Sequence, residues 1–389
     1  MKKVLPAVLF ISLTIWSCDT PTTDNSDSIH YVTLLGNDTL AVEQFVKSDE
    51  GITARVLLRS PKTMYFEYEL NQGADGGMTS MTRYSQDPQL AFTLDGRAAT
   101  QEIKMVGDSL ISETTGDEGI RRTAVLNKKG TLPFIDMVHW PYELALNAAA
   151  SSASDSIHQM LFTGRSISDF IIYKVKPDSM TLRHPSRGVM GVTVDASGNL
   201  IQLDAALTTR KLIVNRVAVL DFERIVKGFA EKDKNGSPLS GELSGGVENN
   251  FSFKGTDFGV TYGSPKKRGR DIFGGIVSYG NRWRTGANRA THFSTSKNLQ
   301  IGTLNIPAGE YTLFTIPEKE GGVLIINKQT GQNGQSYDES LDLGHVPMMV
   351  STQEEVTEDF TIRVIENSNG GTLQLIWDQT VYSVDFTIK

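Results

Sequence analysis

The chain has 389 residues, too many for one small domain, with 39% hydrophobic and 21% charged residues, the mixture of a core-forming globular protein. Its formal net charge of -7 excludes a generally basic surface of the kind that nonspecific nucleic-acid binding needs. The 36 glycines against 13 prolines suit the many tight turns of an all-β fold.

The first residues read as an export signal. Lys2 and Lys3 form a basic start, and Val4 to Ile15 form an apolar run of signal-core length. A transmembrane helix needs roughly 20 apolar residues, so the run is too short to span. It ends at Ser17-Cys18, and Cys18 is the only cysteine. This placement is that of a lipobox, where cleavage before Cys18 precedes acylation of its thiol, although Trp16 is larger than the residue usual there. The alternative is an ordinary secretory signal with an incidental cysteine. Residues 1–17 are therefore expected to be a lipoprotein signal peptide, and residues 18–30 the lipidated cysteine with a polar, acidic tether. The mature protein is expected to be exported and membrane-anchored in the cell envelope, on the outer membrane facing the periplasm or the surface. Each buried acyl CH₂ contributes about 0.8 kcal/mol to such anchoring. With Cys18 acylated, cysteine catalysis and cysteine-based metal sites are excluded.

From Tyr31 to Ile213, short alternating runs such as YVTLL, ITARVLLR and GVMGVTV are separated by Gly/Asn/Asp turns. That pattern predicts antiparallel strands, and residues 31–213 are expected to form a β meander. So many strands hide their edges by closing into a barrel or stacking as a sandwich, and a curved meander gives room for an apolar cavity. One helical stretch interrupts them, near Tyr142 to Ser152. Similar turns open at Asp38, Asp108 and Asp178 with equal spacing. Their flanks do not match, so shared hairpin chemistry is preferred to a threefold repeat.

Residues 214–250 are expected to be a connecting helix, with its apolar spacing over Leu220 to Ala230 and its stop signal at Lys234-Asn235-Gly236, followed by a glycine-rich linker from Gly236 to Asn250. Strand patterns resume from Phe251, and residues 251–389 suit a β-sandwich or jelly roll. The segment from Glu231 to Glu242 imitates a calcium loop. It begins with Glu rather than Asp, carries Pro238 where a strand-forming residue belongs, and precedes Gly245-Gly246, which prevents an exit helix. A helix end followed by a linker is the preferred reading.

The histidines His30, His139, His158, His184, His292 and His345 show no metal-binding spacing, and no metal or cofactor is expected. Signatures of serine hydrolases, nucleotide-binding loops and dinucleotide folds are absent from the sequence. The anomaly is a basic stretch containing Lys266, Lys267, Arg268, Arg270, Arg282, Arg284 and Arg289, opposed only by Asp271. Its glycines allow backbone to approach a ligand, and arginine's planar fork suits carboxylate, phosphate or sulfate. The plainer alternative pairs these arginines with acids of a neighbouring sheet and places Trp283 in the core.

Several motifs carry a resemblance. YGSP at Tyr262–Pro265, RGR at Arg268–Arg270, IFGG at Ile272–Gly275 and WRTGAN at Trp283–Asn288 resemble the domain of unknown function 2911, as do PAGEY at Pro307–Tyr311, Phe314, Tyr337-Asp338 and Asp342. The likeness runs from Leu220 to Lys389. It implies an exported, often lipid-anchored protein with a β-rich N-terminal region, but no established activity. His345 stands where the resemblance implies arginine.

The leading expectation is a small anionic ligand or glycan bound by Arg268, Arg270 and Arg284, oriented by Thr285 and Asn288, with Trp283 offering an apolar face and His292 nearby. A hydrolase using Asp338, Asp342 or His292 beside the arginines is the second reading. A structural or assembly lipoprotein with a protein partner is the third. Growth on radiolabelled palmitate tests the anchor: label is expected on the wild type and absent from Cys18→Ala, and an unlabelled wild type overturns it.

Overall fold

The structure is a computed structural model describing residues 28–49, 51–91, 97–234, 239 and 243–389. The signal peptide, Cys18 and the tether to residue 27 lie outside the described residues, as does most of the calcium-loop-like segment.

The period-two patterns form fifteen strands in the N-terminal region. They begin with β1 (Ile29–Leu35), β2 (Asp38–Ser48), β3 (Gly51–Leu58), β4 (Met64–Gln72), β5 (Met78–Gln86), β6 (Ala98–Val106), β7 (Ser109–Gly116), β8 (Gly119–Leu126) and β9 (Leu132–Pro133). Helix α1 (Trp140–Ser151) intervenes, and then come β10 (Ser156–Phe162), β11 (Ile167–Lys176), β12 (Ser179–His184), β13 (Gly188–Val194), β14 (Leu200–Asp204) and β15 (Ile213–Val217). They make one sheet, ordered β8-β7-β6-β5-β4-β3-β2-β1-β15-β14-β13-β12-β11-β10-β9. All neighbours are antiparallel except β9 and β10. Ile29 and His30, read as tether, already belong to β1.

The sheet curls around α1. Trp140 packs on Tyr68 of β4 with ring centroids 6.0 Å apart, while Tyr142 meets Phe170 of β11 at 6.3 Å. At the start of β5, the Met78 N–H donates to the Thr131 carbonyl beside β9 at 2.7 Å, so distant parts of the sheet approach each other. A helix touched by strands this far apart requires a barrel-like wrap. Most of α1 is buried, including Trp140, Leu146 and Ala149. An amphipathic stripe is therefore not what holds it.

Two buried carboxylates fix α1 in register. Glu43 of β2 accepts backbone N–H bonds from His139 and Trp140 at 2.9 Å, and its oxygen lies 3.1 Å from His139 Nδ1. This is an anion at a helix N-terminus, supplied by the wall rather than by the helix itself. Glu143, within α1, accepts from the Tyr31 hydroxyl, from the Leu200 N–H at 2.8 Å and from Lys47 at 3.0 Å.

Helix α2 (Phe222–Lys234) follows and packs Phe222 and Val226 on Val42, Leu57 and Tyr65, on the outer face of the sheet. Its last residue, Lys234, falls at the stop signal read from Lys234-Asn235-Gly236. Asp233, in its last turn, is held by buried Arg59 (Nε to Oδ2, 2.7 Å) and by Thr63 at 2.9 Å.

The C-terminal domain has nine strands. They are β16 (Ser244–Phe253), β17 (Thr256–Pro265), β18 (Thr291–Thr295), β19 (Leu299–Ile301), β20 (Leu304–Ile306), β21 (Gly309–Glu318), β22 (Gly321–Asn327), β23 (Asp342–Glu366) and β24 (Gly370–Ile388). Their order is β16-β17-β18-β21-β22-β23-β24-β19-β20. Residues 244–250 correct the expected linker: they are strand, paired residue by residue with β17. Val214 to Val217, also assigned to the connector, belong to β15.

Register shifts between Thr352 and Thr361 bend the long β23–β24 hairpin. Its far half folds back over β17, where Ser264 Oγ donates to the Phe360 carbonyl at 2.8 Å and the Ile362 N–H donates to Tyr262 at 3.1 Å. The two layers enclose Phe258, Tyr262, Phe293, Leu313, Phe360 and Trp377 as a sandwich core. The protein is thus all-β, with a barrel-like N-terminal meander joined by a helix to a C-terminal β-sandwich.

Removing the Glu43 carboxylate strands buried donors at the start of α1. Glu43→Ala is expected to cost about 3–5 kcal/mol in urea unfolding. A loss below about 1 kcal/mol, the size of one ordinary hydrogen bond, would show that α1 is held by packing alone.

Candidate functional site

The basic stretch first builds a joint. The turn between β1 and β2 meets the turn after β17, and the Asn37 N–H donates to the Arg268 carbonyl at 2.9 Å. Arg268 is buried, and its guanidinium pairs with Asp38 of the N-terminal domain. Its own N–H donates to the Glu358 carboxylate at 2.8 Å. There is no room for side chains at the crossing: a Cβ on Gly36 would overlap the Arg268 carbonyl, and one on Gly269 would overlap Asn37. Arg268 is therefore an interdomain ion pair.

The WRTGAN loop is built beside β21. Trp283 exchanges backbone hydrogen bonds with Thr315 at 2.7 and 2.9 Å, which extends the sheet edge. Its half-buried ring stacks with Trp377, centroids 6.0 Å apart and planes 15° apart, and meets Phe360 edge-on. Thr285 and Asn288 both adopt the left-handed backbone region, with Gly286 between them. The Ala287 N–H donates to the Gly263 carbonyl at 2.9 Å, and a Cβ on Gly263 would overlap the Ala287 oxygen. Thr285 is fully buried: its hydroxyl bonds Thr315 at 3.2 Å, and its carbonyl accepts from Thr291. Its side chain serves the loop and does not line the cleft described next.

Between the domains lies a cleft of about 490 Å³. Trp283, Trp377, Ile276 and Val277 give it apolar surface. Its cations come from both sides: Arg187, Arg210 and Lys211 from the N-terminal domain, and Lys266, Arg268, Arg270 and Arg284 from the C-terminal one. Among the described residues, its wall holds no carboxylate. Some of these cations are spent on acids just outside. Arg187 and Arg210 share Asp136, Lys266 bonds Asp359 at 2.6 Å, and Arg268 has Asp38.

Three cations are not spent in this way. Arg270 turns back on its own chain and donates to the Lys266 and Lys267 carbonyls at 2.6 and 3.0 Å. Lys211 donates to the Ala206 carbonyl at 2.8 Å, and Arg284 reaches only the Asn288 carbonyl at 3.4 Å. Among the described residues, none of these three forms an ion pair with a carboxylate. Burial pushes all three below their ordinary pKa values. Arg270 adds its charge to the shift of Lys211, and Arg268 adds to that of Arg270. Glu358 and Asp38 offset part of the shift at Arg270. Desolvated cations without a directly bonded carboxylate are an electrostatic cost that an anion relieves.

The remaining candidates separate. Asn288 sits exposed at the rim and donates to the Ser244 carbonyl at 3.2 Å. His292 of β18 lies outside the cleft wall and contacts Thr312 at 3.1 Å. Arg282 stacks on the Tyr337 ring at 3.7 Å.

Asp338 and Asp342 also lie outside the cleft wall. Asp338 caps a short 3-10 turn through the Ser340 N–H. Asp342 accepts from Tyr337 at 2.6 Å and Asn327 at 2.7 Å and lies 2.8 Å from His345 Nε2. Burial alone would raise the pKa of Asp342, but the hydrogen bonds from His345, Tyr337 and Asn327 hold it below the usual carboxylate range. The Tyr337 hydroxyl is pushed up to about 12 by burial and by Asp342. That network ties a loop onto the sheet and supplies no acid to the cleft. No group of three or more potential metal ligands occurs among the described residues.

Sequence reasoning missed Lys211, Arg187 and Arg210. The only available signal was the adjacent Arg210-Lys211 pair in a turn, far from the other basic residues in the chain.

The molecule is thus a two-domain β protein with a cationic cleft between its domains. Residues 246–386 match the family described as "Protein of unknown function (DUF2911)", in agreement with the resemblance carried by WRTGAN and its neighbours. No curated protein matches the chain. Among solved structures, it is similar to a DUF1089 family protein from Pseudomonas aeruginosa, with 13% identity, coverage of 43% of this chain and 91% of that one, and a TM-score of 0.31. It is also similar to a beta-barrel-like protein of domain of unknown function DUF1849 from Brucella abortus, with 12% identity, coverage of 49% and 94%, and a TM-score of 0.30.

Asp38→Ala removes the Asp38 carboxylate from the buried Arg268 guanidinium. The expected cost is about 2–4 kcal/mol, toward the low end because Asp38 is partly exposed. Calorimetry is expected to resolve two transitions where the wild type gives one. An unchanged single transition would show that other contacts join the domains.

Proposed function

We propose that this is a lipid-anchored cell-envelope protein that binds a small anionic ligand, or the anionic part of a glycan, in the cleft between its domains. The observation that carries the reading is the set of Lys211, Arg270 and Arg284, which are partly desolvated and, among the described residues, hydrogen-bonded only to backbone carbonyls. A carboxylate, phosphate or sulfate supplies the missing charge, and a guanidinium binds such groups with two parallel N–H donors. Trp283 offers an apolar face beside them, and Asn288 offers an amide at the rim. Arg268 contributes by holding the domains in place. The cleft has the volume of a small-molecule site, within roughly 300–1,000 Å³. Envelope location and lipid anchoring rest on the basic start, the apolar run and Cys18 in the sequence.

A binding screen with anionic sugars, acyl lipids and peptidoglycan fragments tests the reading. Affinity is expected to fall as salt is raised, because the cleft is open to screening ions. Arg284→Ala is expected to weaken binding tenfold or more, or about 1.4 kcal/mol. Equal binding by wild type and Arg284→Ala would remove the site.

A further inference from the structure

Resting on the anion-binding reading, we infer that the ligand carries at least two separate anionic groups and spans the two domains. The positive centres of the cleft come from both domains, with Arg187, Arg210 and Lys211 on one side and Lys266, Arg268, Arg270 and Arg284 on the other. Lys211, on the loop between β14 and β15, lines the cleft with Arg270 of the other domain, and the Arg270 charge helps to lower its pKa. Arg284, on the WRTGAN loop, lines the same cleft, and its hydrogen bond to the Asn288 carbonyl runs along its own loop. A third centre lies on the N-terminal wall. There Asp136 is bonded to both Arg187 and Arg210, so among the described residues two guanidiniums share one carboxylate.

Charge matching selects the ligand class. Asp38 balances Arg268 and Asp359 balances Lys266. Glu358, whose charge also reaches Arg270, bonds the Arg268 backbone. The excess that remains is spread over the Lys211–Arg270 pair, Arg284 and the Arg187–Arg210 pair, on both sides of the cleft. A single anionic group offsets only part of this excess and leaves like charges on both sides of the cleft. A di- or polyanion reaches two of them and replaces that repulsion with attraction between domain and domain. Linked anionic groups also gain from effective concentration, since the second contact is intramolecular once the first has formed. The class is a compact polyanion: a pyrophosphate-like group, or a sugar or small acid bearing two or more phosphates, sulfates or carboxylates.

Titration calorimetry on the full chain, with inorganic phosphate, pyrophosphate and tripolyphosphate at constant ionic strength, tests this. Pyrophosphate or tripolyphosphate is expected to bind at least tenfold more tightly than phosphate. In Lys211→Met and, separately, Arg270→Gln, that preference is expected to shrink to threefold or less, with an unaltered circular dichroism spectrum. Lys211 lies on a surface turn, so at least one of the two variants is available folded. Equal affinity for all three probes, with binding abolished by Arg284→Ala, would overturn the polyanion inference and leave the anion site standing. A preference for polyanions that survives both variants would also overturn it, because the second anionic group would then lie elsewhere. Probes that all bind equally well to the wild type and to Arg284→Ala would remove the site and the inference together.

Discussion

Everything in the cleft depends on the crossing of two turns. The Gly36–Asp38 turn of one domain and the Lys267–Arg270 turn of the other meet backbone to backbone, with a glycine from each at the closest approach. Arg268 takes a left-handed backbone conformation there, and its buried side chain reaches the partly exposed Asp38. A buried ion pair of this kind contributes little net stability over an apolar contact, but it strongly penalises any arrangement that separates the partners. It therefore acts as a specification of register between two sheets that share no strand. Once Arg268 is held, Arg270 is turned back on the carbonyls of its own turn, and the N-terminal loop carrying Lys211 forms the facing wall.

The strands were legible because period-two alternation and Gly/Asn/Asp turns are local signals, and α1 was legible from its alanine-rich run. The wrapping of the first sheet was not. It depends on contacts such as Glu43 with the start of α1, between residues nearly a hundred positions apart, and no local pattern encodes them. Gly245 and Gly246 misled in a specific way. A pair of glycines reads as linker, but here they are strand residues opposite Ser264 and Gly263, and the Arg289 guanidinium lies where a side chain on Gly246 would sit. Small residues were required by close packing, and the sequence offers the same letters for either cause.

The candidate site was legible in part, for a comparable reason. WRTGAN stood out by charge and by resemblance, and the cleft contains Trp283, Arg284 and Asn288. Thr285 and His292 carry the same polar chemistry on paper, yet Thr285 is consumed by the loop and His292 points to Thr312, away from the cleft. Lys211 was invisible because the site is assembled across a domain boundary. A residue's charge can be read from sequence; the partner that cancels it cannot.

That distinction decides how this protein's arginines should be read. The sequence posed two alternatives, ligand-facing arginines or arginines paired with the chain's own acids, and the structure divides the residues between them. Arg268, Arg187 and Arg210 meet carboxylates, whereas Arg282 spreads over Tyr337. Among the described residues Arg270 and Arg284 hydrogen-bond only to carbonyls, and Glu358 and Asp38 offset the Arg270 charge only in part, from outside hydrogen-bond reach. In a chain of net charge -7, acids are abundant enough to neutralise any cation that folding alone needed to quiet. Their absence from one wall is therefore a local departure from the economy of the rest of the surface. Departures of this kind, where local energetic rules are broken and the fold still holds, are where binding chemistry is to be sought.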